Sequence, residues 1–269
     1  MEAFKDYPLI SQYFEENWIE KELKNGNPSK HPIIYQFQID DEDPNFFLDC
    51  VESSLKTVER ELSSIKKYKK RLKLEFWPTF AEIEVGSFFK NIGFKIKFQP
   101  KIDKNKSSDL LLQYQDELIN VEITRKNEPE TKILKDYGSM KITTLPTVSP
   151  ANYADKINNK RDQLSNIYSN IICLHLHPSL VSNYRNRQLA LYDGILYHNE
   201  NAGYIVSGYS ALQFDKISAI LEFSNYGRSR LHILLHLNPK SQNPLKENII
   251  EKFRSEGIEI AEEPLILPK

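Results

Sequence analysis

The sequence predicts an α/β protein: a mixed β-sheet flanked by helices, with a long helical arm on its N-terminal side. Three observations carry this. A helical segment, Thr79–Ile92, runs directly into three strand-like segments near 94–99, 109–114 and 118–126. The last of these alternates, with Val121 and Ile123 on one side and Glu122, Thr124 and Lys126 on the other. Ahead of them, Leu48, Val51, Leu55, Val58, Leu62, Ile65 and Leu72 follow steps of three and four, with Lys69 at the one missed step. That is a heptad seam. The division expected is a helical region over 1–75 and an α/β domain over 76–269.

A chain of 269 residues can bury a sizeable core. With 36 basic and 37 acidic residues the formal charge is −1, so net charge neither favours nor excludes a polyanionic partner. Cys50 and Cys173 lack metal-ligand spacing and sit among apolar residues, which reads as buried thiols in a reduced, cytoplasmic setting. Residues 1–10 have no apolar core of a signal peptide, and no apolar run is long enough to span a membrane.

Taken in order, residues 1–30 carry Leu9, Ile10, Tyr13, Phe14 and Trp18 and read as a short amphipathic helix. Residues 31–39 read as a strand, and Asp40–Pro44 as an acidic helix start. The heptad segment from Pro44 to about Leu72 then fits either a helix packed on its own domain or an arm that forms a homodimer. Its basic end holds Lys66, Lys67, Lys69, Lys70, Arg71 and Lys73. Such an end suits solvent at a helix C-terminus, or phosphate. Glu75-Phe76-Trp77-Pro78 reads as a break.

In the helix over 79–92, Val85, Phe88, Phe89 and Ile92 form the buried stripe, with Glu82 and Glu84 on opposite edges. Glu82 is the preferred site residue, because Gly86 on its edge permits close approach of a ligand or backbone. Both glutamates also fit simple solvated flanks. Lys101, Lys104 and Lys106 make the loop over 100–108 basic, and 127–150 reads as a long loop. A helix is expected over 152–169, with Lys156, Lys160 and Gln163 at helical spacing, then a strand over 170–176 parallel to the strand over 118–126. A helix over 179–197, strands over 217–223 and 231–237, a helix over 245–253 and an extended tail complete the chain. His175, His177, His232 and His236 could gather a zinc ion, but strand histidines satisfied by neighbours are the plainer reading.

The chemistry concentrates at Asp109 and Glu122. They lie on consecutive strands joined by a turn near Gln115-Asp116-Glu117, so a hairpin brings two carboxylates to one end of the sheet. Such a pair suits a hard divalent cation. A helix bearing Glu82 or Glu84, then Ser108-Asp109, then Glu122-Ile123-Thr124 resembles the PD-(D/E)XK nuclease superfamily, whose strands carry Pro-Asp and Glu-x-Lys. Lys160-Arg161-Asp162-Gln163 is similar to a Lys-x-x-Gln segment in several of its branches. The likeness covers Thr79 to about Leu176 and departs at Thr124, which takes the motif lysine's place.

The resemblance implies a restriction-endonuclease-like fold and a nuclease, with DNA the preferred substrate. Asp109, Glu122, the Ile123 carbonyl and Glu82 would hold Mg²⁺ or Mn²⁺. The missing lysine would come from Lys126, on the Glu122 face, or from Lys160 with Gln163. The alternative is a nuclease-like module without catalysis that binds nucleic acid or serves assembly.

Overall fold

The computed structural model describes residues 5–24, 31–36, 46–103, 106–126, 157, 159–176, 195–199, 203–207, 215–224 and 232–261. The helices are α1 (Pro8–Phe14), α2 (Glu16–Lys24), α3 (Pro32–Gln36), α4 (Phe46–Val58), α5 (Ile65–Leu74), α6 (Phe76–Asn91) and α7 (Glu247–Ser255). The strands are β1 (Lys95–Phe98), β2 (Lys101–Asp103), β3 (Lys106–Ser107), β4 (Leu110–Tyr114), β5 (Glu117–Lys126), β6 (Ser169–Leu176), β7 (Ile195–Asn199), β8 (Gly203–Ser207), β9 (Ala219–Ser224), β10 (His232–Leu237) and β11 (Glu259–Ile260).

Alternation builds the sheet. Leu110 and Leu112 on β4 and Ile119, Val121 and Ile123 on β5 point to one buried face, joined there by Ile171 and Cys173 on β6. Asn120 and Glu122 point to the other face and are also buried, so β5 is a central strand. Seven strands pair in the order β1-β4-β5-β6-β9-β10-β11. β4 is antiparallel to β1 and β5, whereas β6 runs parallel to both β5 and β9. The sheet is therefore mixed, and helices flank it, as the pattern predicts. β2 with β3, and β7 with β8, form separate two-stranded ribbons. None of the described helices is long and apolar enough to cross a membrane.

The first face is covered by helices. α6 is buried on nearly every side, including Glu82 and Glu84, so neither glutamate is a solvated flank. Phe253 of α7 stacks against Phe94 and meets Phe89. One apolar core runs from Ile10 through α4, α5 and α6 to the sheet and Ile258, and so joins both segments divided at residue 75.

The heptad segment departs from expectation. It is two helices, α4 and α5, with a single 3₁₀ turn at Glu59–Glu61 and a break over 62–64. Ser64 supplies the reason: its side chain accepts the Lys67 N–H at 3.3 Å and caps a new helix. Leu48, Val51, Leu55, Val58, Leu62 and Leu72 are buried in the chain's own core. Among the described residues the seam thus packs in cis, and no single long helix spans it.

Other corrections are local. Residues 32–36 are helical rather than extended, with Pro32 at the first position where its missing N–H costs nothing. The apolar N-terminal stretch forms two helices, α1 and α2. The break expected at Glu75-Phe76-Trp77-Pro78 falls at Glu75, non-helical at φ −139° between α5 and α6, and α6 starts at Phe76 rather than Thr79; Pro78 lies in its first turn, where N–H groups have no intrahelical partner. The basic loop over 100–108 contains the β2–β3 ribbon. Within the predicted helix over 152–169, residues 161–163 form a 3₁₀ turn and 164–168 are irregular. There the Ser165 hydroxyl accepts the N–H groups of Ile167 and Tyr168, and Asn170 accepts that of Ser165. Side chains of this type compete with the helical ladder. Residues 195–199 are a strand rather than the end of a helix. The acidic start over 40–44, the long loop over 127–150, Lys104 and Lys156 lie outside the described residues.

Candidate active site

Asp109 sits in the bend just before β4, at the end of the sheet where β4 meets β5. The bend is pinned from inside. The Ser108 hydroxyl lies 2.7 Å from the Leu110 carbonyl and 3.0 Å from that of Val121, and the Ile123 N–H donates to Asp109 Oδ2 at 2.8 Å. N–H and C=O of one strand residue point to the same side, so the Ile123 carbonyl also lies on the β4 side.

Lys160 joins the two predicted carboxylates. Its Nζ donates to Asp109 Oδ2 at 2.9 Å and to Glu122 Oε2 at 3.2 Å. A third bond, 3.1 Å to Gln163 Oε1, fixes the ammonium. The 3₁₀ turn explains this spacing: the Gln163 N–H donates to the Lys160 carbonyl, which brings residues three apart onto one side. Asp109, Glu122, Lys160 and Gln163 therefore converge. Thr124 is buried on the Glu122 face. Lys126 closes β5, and its side chain lies outside the described residues.

The electrostatics are those of a site short of positive charge. Glu122 is fully buried, and burial together with Asp109 pushes its carboxyl from 4.5 up to about 8, with Lys160 opposing. Its Oε1 is buried without a hydrogen-bond partner among the described residues. Burial works against a charged Lys160, yet the two carboxylates outweigh it and raise its pKa. Two acidic groups thus share one ammonium, and one buried acidic oxygen is unanswered. A hard divalent cation held by Asp109, Glu122 and the Ile123 carbonyl would answer both deficits, so these oxygen donors fit Mg²⁺ or Mn²⁺.

Glu82 is differently placed. Both its oxygens are taken by the Arg71 guanidinium, at 2.7 and 2.6 Å, and Gln99 Nε2 donates to it at 3.3 Å. Burial raises its carboxyl, Arg71 works against that, and Asp109 adds to it, so Glu82 is within electrostatic reach of the centre without joining it. No group of three or more His, Cys, Asp or Glu side chains is arranged to hold a metal among the described residues. Gly86, read as room for a ligand, faces protein: a Cβ there would lie 2.5 Å from Phe98 Cζ. Glu84 accepts from His175 Nε2 at 2.6 Å and from Cys50 Sγ at 3.2 Å, tying α6 to β6 inside the core. His232 and His236 approach Glu222 on the opposite sheet face from His175, so these three do not gather around one ion. His177 lies outside the described residues.

Neither protein-family models nor curated proteins nor solved structures give a match to this chain.

Two residues beside the centre were not singled out by the sequence. Gln99 has φ 47°, a left-handed conformation uncommon for a residue with a side chain, and its N–H donates to the Asp109 carbonyl at 2.9 Å. Arg71 was legible only as one member of a basic segment. Its partner Glu82 lies on the next helix, and no local pattern announces the pair.

A pH dependence follows from Glu122. Unfolded, its carboxyl titrates near 4.5; folded, it titrates at about 8. The folded state holds the proton more tightly, so this contribution to stability is fully present below about 4.5 and is lost as pH rises through about 8. Metal-free protein should show a urea midpoint that falls from about pH 5 to about pH 8 and levels off above that, and Glu122→Gln should flatten that slope. Equal slopes for both proteins would contradict the account of Glu122.

Proposed function

We propose that the Asp109–Glu122–Lys160 cluster hydrolyses phosphodiester bonds, with DNA as substrate and Mg²⁺ or Mn²⁺ as cofactor, on a restriction-endonuclease-like framework. The observation that carries this reading is the bridge made by Lys160 to both carboxylates, in a chain where Thr124 stands at the motif lysine's place.

Asp109, Glu122 and the Ile123 carbonyl would hold the cation. Bound there, it would polarise the scissile phosphate and acidify water. The remaining work falls to this chain's own groups. Lys160, oriented by Gln163, places a positive charge where an attacking water and the phosphoryl oxygens must lie, and so favours the more negative transition state. The water oxygen forms the new bond to phosphorus as its proton passes to bulk solvent, the bond to the sugar oxygen breaks, and that oxygen takes up a proton from solvent and leaves as a hydroxyl. The Ile123 N–H fixes one oxygen of Asp109, so this carboxylate needs little reorganisation. Glu122 must lose its proton to hold a cation, so cation affinity rises with pH.

Supercoiled, linear and single-stranded DNA and RNA, each incubated with Mn²⁺, Mg²⁺ or EDTA, test the reading. Cleavage of DNA that EDTA abolishes is expected. Intact DNA under all conditions favours the second reading, a nuclease-like module that binds nucleic acid or serves assembly without catalysis. One observation supports that reading: Arg71 occupies both oxygens of Glu82, which leaves two carboxylates at the centre rather than three.

A further inference from the structure

We propose that the exposed side of α5, carrying Lys66, Lys67 and Lys70, is the surface on which a DNA duplex lies as it enters the Asp109 centre. The inference rests on the nuclease reading of that centre and adds the path of the substrate.

α5 holds six basic residues, and the structure separates them into two groups. Lys69 and Lys73 pair with Glu15 at 3.4 and 3.0 Å, and Arg71 pairs with Glu82 and Glu75. Lys66, Lys67 and Lys70 are exposed and form no ion pair among the described residues. At about 100° per residue these three fall within an arc of roughly 100°, opposite the buried Tyr68 and Leu72. Lys66 and Lys70 are one turn apart, about 6 Å along the axis. The result is an unneutralised basic stripe on a chain whose net charge is only −1.

The stripe leads to the centre. Lys67 Nζ donates to the side chain of Gln99. Gln99 in turn contacts Glu82 and donates its N–H to the carbonyl of Asp109. Lys97 is exposed on the edge strand and pairs with Leu111, two residues from Asp109 and on the same face. Through Lys67 and Gln99 the stripe therefore reaches the end of the sheet that carries Asp109, Glu122 and Lys160. B-form DNA presents a negative charge for about every 1.7 Å of its axis, and lysines placed along it gain affinity by releasing counterions.

The test is fluorescence anisotropy of a labelled 24-base-pair DNA duplex in EDTA over a range of KCl. Each phosphate contact adds about 0.9 to the slope of log affinity against log salt. Lys66→Ala, Lys67→Ala and Lys70→Ala together should lower that slope by roughly 2.7 and weaken binding at least tenfold at low salt. Replacement of the same three by Arg should restore both. Lys216→Ala, Lys240→Ala and Lys246→Ala remove three lysines at the opposite end of the sheet, where Lys246 meets Glu117, and should leave the slope unchanged. Equal slopes for wild type and the α5 variant, equal losses in both triple variants, or tighter binding of an RNA duplex of the same sequence would overturn the proposal. The nuclease reading fails separately: cation-dependent DNA cleavage retained by Asp109→Asn would sink it whatever the lysines do.

Discussion

Asp109→Ala should abolish the proposed cation-dependent cleavage and any stabilisation by Mg²⁺ or Mn²⁺, while the protein remains folded. The Asp109 side chain is 21% exposed and bonds to Lys160 Nζ and the Ile123 N–H. Its loss does strand the Ile123 N–H, at a cost of about 1–3 kcal/mol. Asp109→Asn is the cleaner companion, because its side-chain oxygen still accepts that N–H while the charge is gone. Glu122→Gln should be nearly as inactive. It should also be no less stable than wild type in metal-free solution at high pH, since it removes a buried charge that burial and Asp109 both oppose. Lys160→Ala should lose about 10²–10³-fold in turnover and keep its affinity for DNA, since the lost contact acts mainly in the transition state. Single-turnover cleavage beside DNA-binding anisotropy separates these outcomes. Full turnover in Lys160→Ala, with none in Lys126→Ala, would transfer the lysine's role to Lys126.

Leu55→Asp together with Leu62→Asp unfolds the protein. Both leucines lie in the apolar core shared by α4, α5, α6 and the sheet, at 0% and 6% exposure. Two buried carboxylates without partners would each cost several kcal/mol, and together they exceed the stability of an ordinary domain. Circular dichroism should show loss of the cooperative transition, and light scattering should show aggregation. Soluble, folded monomers from a wild-type dimer would instead mean that these leucines face a second chain.

Much of this architecture is written in short-range pattern. Period-two alternation in Val121-Glu122-Ile123 marks β5 and places Glu122 on the face opposite Val121 and Ile123. The parallel placement of β6 follows from a crossover connection. What the pattern hides is long-range or depends on one side chain. A heptad seam continues through Leu62, yet Ser64 restarts the helix by capping Lys67. Helical spacing of Lys160 and Gln163 is visible, yet the chain there forms only a turn and a 3₁₀ turn, and Ser165 and Asn170 bond the backbone after it in a non-helical course. A helical projection puts Glu82 and Glu84 on opposite edges of the buried stripe but does not say what either one meets. Only tertiary structure gives the first to Arg71 and the second to His175.

The central claim is that Asp109 and Glu122 hold a cation with which this chain cleaves DNA. Its most direct test is nicking of supercoiled plasmid in Mn²⁺ by wild type and by the Asp109→Ala, Glu122→Ala double variant, purified in parallel and checked for folding by circular dichroism. The account predicts nicking by the wild type that EDTA stops, and none by the folded double variant. Equal nicking by both proteins, or none by a folded wild type in Mn²⁺ or Mg²⁺, would contradict it.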